Sequence, residues 1–170
     1  MQPVKPILHP VAHTSGRKAL IIGGGIGGLA TAIALKQIGL TVEIYERVTL
    51  LREVGAGLSL WANAVKALHY LGLGQAMRAL ALPETAGGIR TATGDLLMST
   101  TNAQLAAKFG ELSVMVHRAE LHDLLRHALG QELYLGMECT AVTEEAQGVR
   151  VRFRNGAEAL GDLVIGHAIM

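Results

Sequence analysis

Apolar positions come in short runs separated by turn residues, and their period changes along the chain. Residues 19–22 form an aliphatic run that ends in glycine, the pattern of a buried strand. Over residues 27–38 the apolar and small side chains Leu29, Ala32 and Ile33 share one helical face, Lys36 and Gln37 fall on the wet side, and Gly39 supplies a C-cap. Residues 41–45 are β-branched and aromatic, which predicts a second strand. Together these make a βαβ unit. Downstream, residues 62–71 predict a helix closed by Gly72, and 75–82 another that stops before Pro83. Residues 88–93 and 95–100 read as a hairpin around Thr93-Gly94. A strand over 112–116 precedes an amphipathic helix over 118–129, whose Leu121, Leu124, Leu125 and Leu129 repeat at i, i+3, i+4 and i+8. Short strands follow over 132–135, 138–144, 149–153 and 157–160, with Asn155-Gly156 as a hairpin turn, and 160–166 reads as a buried parallel strand. Residues 1–18 carry three prolines and no sustained period, so a flexible tail is expected.

The first helix lies in a stretch that could be mistaken for a membrane segment, because residues 19–35 carry no charge and follow Arg17 and Lys18. Five glycines (Gly23, Gly24, Gly25, Gly27 and Gly28) crowd its middle, each costing about 1 kcal/mol in a helix interior. A turn accounts for them better than a spanning helix does. They also satisfy G-x-G-x-x-G between a strand and a helix. In that motif Gly23 permits the tight turn, Gly25 lets backbone approach a pyrophosphate, and Gly28 lets the helix pack closely on the strand. The anion then meets free N–H groups and the positive end of the helix dipole. Glu46, eighteen residues past Gly28, ends the second strand where a carboxylate can accept hydrogen bonds from an adenosine ribose. That charge disfavours a 2′-phosphate, although the adjacent Arg47 could accommodate one, and spacing alone does not separate FAD from NAD.

Composition narrows the remaining classes. Half of the 170 residues are apolar and 17% are charged, which excludes a disordered chain, and a chain of this length can bury about 70% of its unfolded surface. Fifteen basic and fourteen acidic side chains leave a net charge of +1, so the electrostatic footprint of a nucleic-acid binder is missing. The single cysteine, Cys139, cannot form an internal disulfide and fits a cytoplasmic location. His117, His122 and His127 lack the i, i+4 spacing of a metal pair, and no metal site is expected.

Three ordered segments, ALIIGGGIGGLATAIALKQIGLTVEIYER, LREVGAGLSLWANAVKALHYLGL and VHRAELHDLL, resemble the FAD-dependent aromatic-ring monooxygenases, the urate and salicylate hydroxylase type most closely. The resemblance runs from about residue 19 to 166. It implies an α/β, Rossmann-like FAD-binding fold with a βαβ start and an antiparallel β-meander over 138–160 inserted before a fourth parallel strand. It also implies that residues 19–85 and 111–166 form an incomplete FAD-binding domain and that 86–110 open the substrate-domain sheet. Carried over by position, Gly23, Gly25, Gly27 and Gly28 would cradle the pyrophosphate and Glu46 the ribose, with Arg47 beside it. Arg52 and Ser59 would lie on the flavin side, Arg118 would contact the ribityl or pyrophosphate region, and Cys139 would offer its backbone to the adenine. In such enzymes the flavin, reduced by NAD(P)H, activates O₂ and delivers one oxygen to a small aromatic substrate. No catalytic residue is assigned.

The chain departs from that pattern at its end. A G-A-D-G motif is expected after the last strand, but the sequence reads Gly166-His167-Ala168-Ile169-Met170, with Ala168 at the aspartate position. On this reading the chain is the truncated N-terminal part of a longer protein, inactive alone. Surfaces left open would then favour a homo-oligomer or a non-catalytic, self-associating remnant. The other class considered, an NAD-binding dehydrogenase domain, calls for further parallel βα units after Glu46.

Overall fold

The computed structural model describes residues 16–51, 57–83 and 86–166. In chain order the elements are β1 (Lys18–Ile22), α1 (Ile26–Gln37), β2 (Thr41–Glu46), β3 (Gly57–Leu60), α2 (Ala62–Tyr70), α3 (Gly74–Leu80), β4 (Leu82–Pro83), β5 (Ala86–Arg90) and β6 (Leu96–Thr101). There follow α4 (Asn102–Phe109), β7 (Val114–His117), α5 (Arg118–Leu129), β8 (Leu133–Leu135), β9 (Cys139–Glu145), β10 (Gly148–Phe153), β11 (Glu158–Gly161) and β12 (Leu163–Gly166). The chain divides into two compact units, one of Met1–Leu50 with Gln131–Met170, the other of Leu51–Gly130.

The first unit is built on a four-stranded parallel sheet in the order β12-β1-β2-β8. Alternation along β1 and β2 gives each face its own partner. Gly28 of α1 stands over Ile21, whose Cγ2 a Cβ at Gly28 would meet at 3.5 Å. Leu20 and Tyr45 pack on the other side with Val149, Val151, Phe153 and Ala159 of the antiparallel sheet β11-β10-β9. The Tyr45 ring stacks on Tyr134 at 5.3 Å and tilts against Phe153 at 4.6 Å, so three aromatics fix how the two sheets pack. This is the meander expected over 138–160, followed by its parallel strand. The order places β2 on one side of β1 and β12 on the other. Such a switch in strand order opens a crevice beyond the carboxyl end of β1.

The second unit holds the antiparallel sheet β3-β7-β4, the hairpin β5–β6 and helices α2 to α5. Its core gathers Leu60, Val65, Leu68, Met77, Val116, Leu121, Leu125 and Leu129. Glu111 ties two of its helices together, accepting two bonds from Arg78 Nη2 at 3.1 Å and lying 3.6 Å from His69 Nδ1.

Several expectations shift. Leu82 lies in a strand, paired with Met115, and not in a helix over 75–82. Pro83 disfavours helix at the residue before it, and the backbone is already extended at Ala81, with ψ 131°. The hairpin strands are Ala86–Arg90 and Leu96–Thr101, because the five-residue loop 91–95, with Gly94 at φ 98° and closed by Thr91 N–H to Asp95 C=O at 2.9 Å, is longer than a turn at Thr93-Gly94. Residues 160–166 are not one strand. Leu160 and Gly161 finish β11, and Asp162, accepting from Lys18 N–H at 2.6 Å, separates them from β12. The latter is only half-buried. Among the described residues no helix is long and apolar enough to cross a membrane.

Candidate functional site

The turn from β1 into α1 is shaped by its glycines one by one. Gly23 adopts φ 112°, a conformation that side-chain-bearing residues rarely take, and its N–H donates to Tyr45 C=O at 2.9 Å. Gly28 packs so tightly that a Cβ on it would stand 1.9 Å from Gly23 C=O oxygen. Gly24 is squeezed differently: a Cβ there would meet Leu133 Cδ1 at 2.9 Å and Glu46 Cβ at 3.1 Å. Gly25, the N-cap of α1, has an ordinary φ of −75°, and a Cβ on it would meet nothing within 4 Å. Three glycines are needed to fold the turn, and at the fourth the space beyond the backbone is open.

The start of α1 is electrostatically prepared for an anion. The first intrahelical bond runs from Leu29 N–H to Gly25 C=O at 3.0 Å, so the amides of Ile26, Gly27 and Gly28 lie ahead of the helix ladder. The N-cap residue Gly25 makes no side-chain cap bond, and no acidic residue sits in the first turn. The first turn of α1 thus brings no carboxylate of its own to the positive end of the helix dipole.

Glu46 ends β2 beside this turn. Its Oε2 accepts from Gly24 N–H at 2.7 Å and its Oε1 from Val48 N–H at 3.1 Å. Its own carbonyl accepts from Met137 N–H at 2.8 Å. The carboxylate thus staples the glycine turn to the end of β2, while each oxygen keeps a second lone pair. Nothing in a G-x-G-x-x-G pattern asks for a glycine at position 24, and sequence reasoning missed both its packing and its bond to Glu46. The run of three consecutive glycines was the available signal.

The other sequence-derived residues divide between the two units. Arg47 is exposed next to Glu46, and Cys139 begins β9 against the aromatic cluster, half-buried, both in the first unit. Burial pushes the Cys139 thiol up, which favours the neutral thiol over the thiolate. Ser59 and Arg118 belong to the second unit. Ser59 is exposed on β3, paired with Met115, and Arg118 opens α5 immediately after His117, the residue paired with Gly57 of β3. One short ladder therefore carries both. Arg52 and Ala168 lie outside the described residues.

With this geometry in place, comparison with known proteins gives a consistent result. The family described as "FAD binding domain" matches residues 17–162. The FAD-dependent urate hydroxylase of Klebsiella pneumoniae is 37% identical over 150 residues, covering 87% of this chain and 39% of the relative. The aurachin C monooxygenase/isomerase of Stigmatella aurantiaca is 35% identical over 153 residues, covering 89% of this chain and 40% of the relative. Among solved structures, Klebsiella pneumoniae HpxO complexed with FAD and uric acid superposes with a TM-score of 0.80 at 35% identity, over 89% of this chain and 39% of that one. The chain spans about 40% of the length of these relatives.

Proposed function

This chain belongs to the FAD-binding domain family of the flavin-dependent aromatic hydroxylases, and on that premise we propose how its own residues hold the cofactor. The observation that carries the reading is the contrast at the turn: Gly28 is closed against Gly23, whereas Gly25 faces open space ahead of uncapped helix amides. A pyrophosphate there accepts from the amides of Gly25, Ile26 and Gly27 and is favoured by the dipole of α1. Glu46, already oriented by two backbone donors, uses its remaining lone pairs for the adenosine ribose hydroxyls. Its charge also opposes a ribose 2′-phosphate. Arg47 lies beside it, and the main chain at Cys139 serves the adenine. By position in the family pattern, Arg118 is assigned to the ribityl or pyrophosphate region and Ser59 and Arg52 to the flavin side.

When bound, the flavin supplies the redox chemistry, taking electrons from NAD(P)H and activating O₂ for insertion into a small aromatic or heteroaromatic ring. This chain's part is to bind the dinucleotide end and fix its direction. Residues 19–85 and 111–166 form the FAD-binding portion and 86–110 open the substrate-facing sheet. The self-contained pairing of β5 with β6 supports that division. The lone half-buried Cys139 suits a reducing cytoplasm.

The test is a pair of titrations on the purified chain, with FAD followed by flavin absorbance and NADH by its own fluorescence. Saturable FAD binding with weaker NADH binding is expected. Tight NADH binding without flavin binding would overturn the assignment.

A further inference from the structure

The hairpin between β10 and β11 turns at Asn155-Gly156. The chain carries three asparagines, and they sit in different surroundings. Asn63 lies inside α2 and is followed by Ala64. Asn102 opens α4 and is followed by Ala103. Its amide is clamped, Oδ1 accepting from Ser113 N–H at 2.9 Å and Nδ2 donating to Ser113 C=O at 2.7 Å. Asn155 alone precedes a glycine, and residues 154–157 are all exposed.

The turn both aims and restrains the Asn155 side chain. Oδ1 accepts from Ala157 N–H at 3.0 Å, closing an Asx turn whose ring contains the Asn155 side-chain carbonyl carbon and the Gly156 nitrogen. The two atoms that must meet to form a five-membered imide are therefore held in one hydrogen-bonded ring. The Ala157 N–H also sits where negative charge develops on the carbonyl oxygen during attack. Gly156 adds no obstacle, because a Cβ on it would meet nothing within 4 Å and its own side is bare. One bond opposes the reaction. Gly156 N–H donates to Phe153 C=O at 3.0 Å, which occupies the proton that this nitrogen must lose. The leaving nitrogen is held more loosely, Nδ2 donating to Met137 Sδ at 3.2 Å, a weak acceptor.

We propose that Asn155 is a site of spontaneous covalent modification, an imide-forming deamidation gated by opening of the hydrogen bond between Gly156 N–H and Phe153 C=O. Water is the only reagent. Once that bond opens, Gly156 N gives its proton to hydroxide and attacks Asn155 Cγ. The new C–N bond forms, the Cγ–Nδ2 bond breaks, and Nδ2 leaves as ammonia after taking a proton from water. Hydrolysis of the imide at Cγ gives aspartate, and hydrolysis at the main-chain carbonyl gives isoaspartate. Either product alters the meander. Both remove the donor to Met137 Sδ and add a negative charge where Arg154 is already bonded twice to Glu138, at 2.6 and 2.7 Å. Isoaspartate also lengthens the main chain by one methylene inside the loop closed by Phe153 N–H to Ala157 C=O at 3.0 Å. Phe153 is buried, with its ring 4.6 Å from that of Tyr45, so the disturbance reaches the contact between the two sheets. None of this depends on how the chain holds its cofactor.

Peptide mapping by mass spectrometry tests this on the full chain. Samples are aged at pH 7 and at pH 9, with and without urea, and digested with a glutamate-specific protease. Each asparagine is followed by the mass gained when its amide becomes an acid. In the folded chain Asn155 is expected to convert at least about 10-fold faster than Asn63 and Asn102. Conversion is expected to be faster at pH 9 than at pH 7, because the attacking nitrogen must lose a proton. It should be faster still in urea, where the restraint from Phe153 is lost. Asn155→Gln, whose imide needs a six-membered ring, should abolish the mass gain at this position. Asn155→Asp marks where the aspartate product elutes, so a second peak of equal mass identifies isoaspartate. Equal rates at the three asparagines of the folded chain would overturn the proposal. Conversion at Asn155 that urea fails to accelerate would overturn the gate, and with it the proposal as stated.

Discussion

At residue scale the glycine turn separates folding from binding, because its glycines are required for different reasons. Gly25 has an unstrained φ of −75° and no neighbour that a side chain would strike. Gly25→Val should therefore cost only about 1 kcal/mol of stability, the loss of a favoured N-cap residue and not a clash. It should nevertheless place two methyl groups where the diphosphate approaches. Hydrogen bonds to a charged group contribute about 1.5–3 kcal/mol each, so losing two weakens FAD at least about 100-fold. Parallel denaturation and FAD titration of the variant check both halves, and unchanged FAD affinity would contradict the placement. Glu46 shows a related economy: bonds from Gly24 and Val48 orient the carboxylate before any ligand arrives, so less ordering is needed on binding.

At the scale of elements, α1 owes its seat on β1 to Gly28. A Cβ at 1.9 Å from the Gly23 carbonyl oxygen cannot be accommodated without moving backbone, and Gly28→Ala should cost about 1–3 kcal/mol. Urea denaturation measures that cost, and a midpoint equal to the parent's would show that the helix can shift freely. These elements were largely legible in the sequence where local signals agreed with tertiary ones. The helix α5 spans residues 118–129, as its leucine spacing predicts, and the glycine run with its acid at the end of β2 marked the βαβ unit. Signals were also missed. The reciprocal cap of Thr101 with Gln104, closed by Gly110 at φ 74°, announces α4, yet residues 102–109 have too little periodicity to predict it. That β8 joins the parallel sheet beside β2 was not legible, since Tyr45 and Tyr134 are brought together by packing far apart in sequence.

At the scale of the whole molecule, the turn, Glu46 and the meander lie in one compact unit, and Ser59, Trp61 and Arg118 lie in the other. A net charge of +1 supplies no strong overall field to draw an anionic dinucleotide, so on the proposed reading the attraction is local, from the amides of the turn and the arginines assigned beside it. The measurement that addresses this most directly follows the backbone amide resonances of Gly25, Ile26 and Gly27 while FAD is added to the isotope-labelled chain. These amides are predicted to shift together and to saturate in step with the flavin signal. Flavin binding that saturates while all three stay unmoved would show that the diphosphate docks elsewhere.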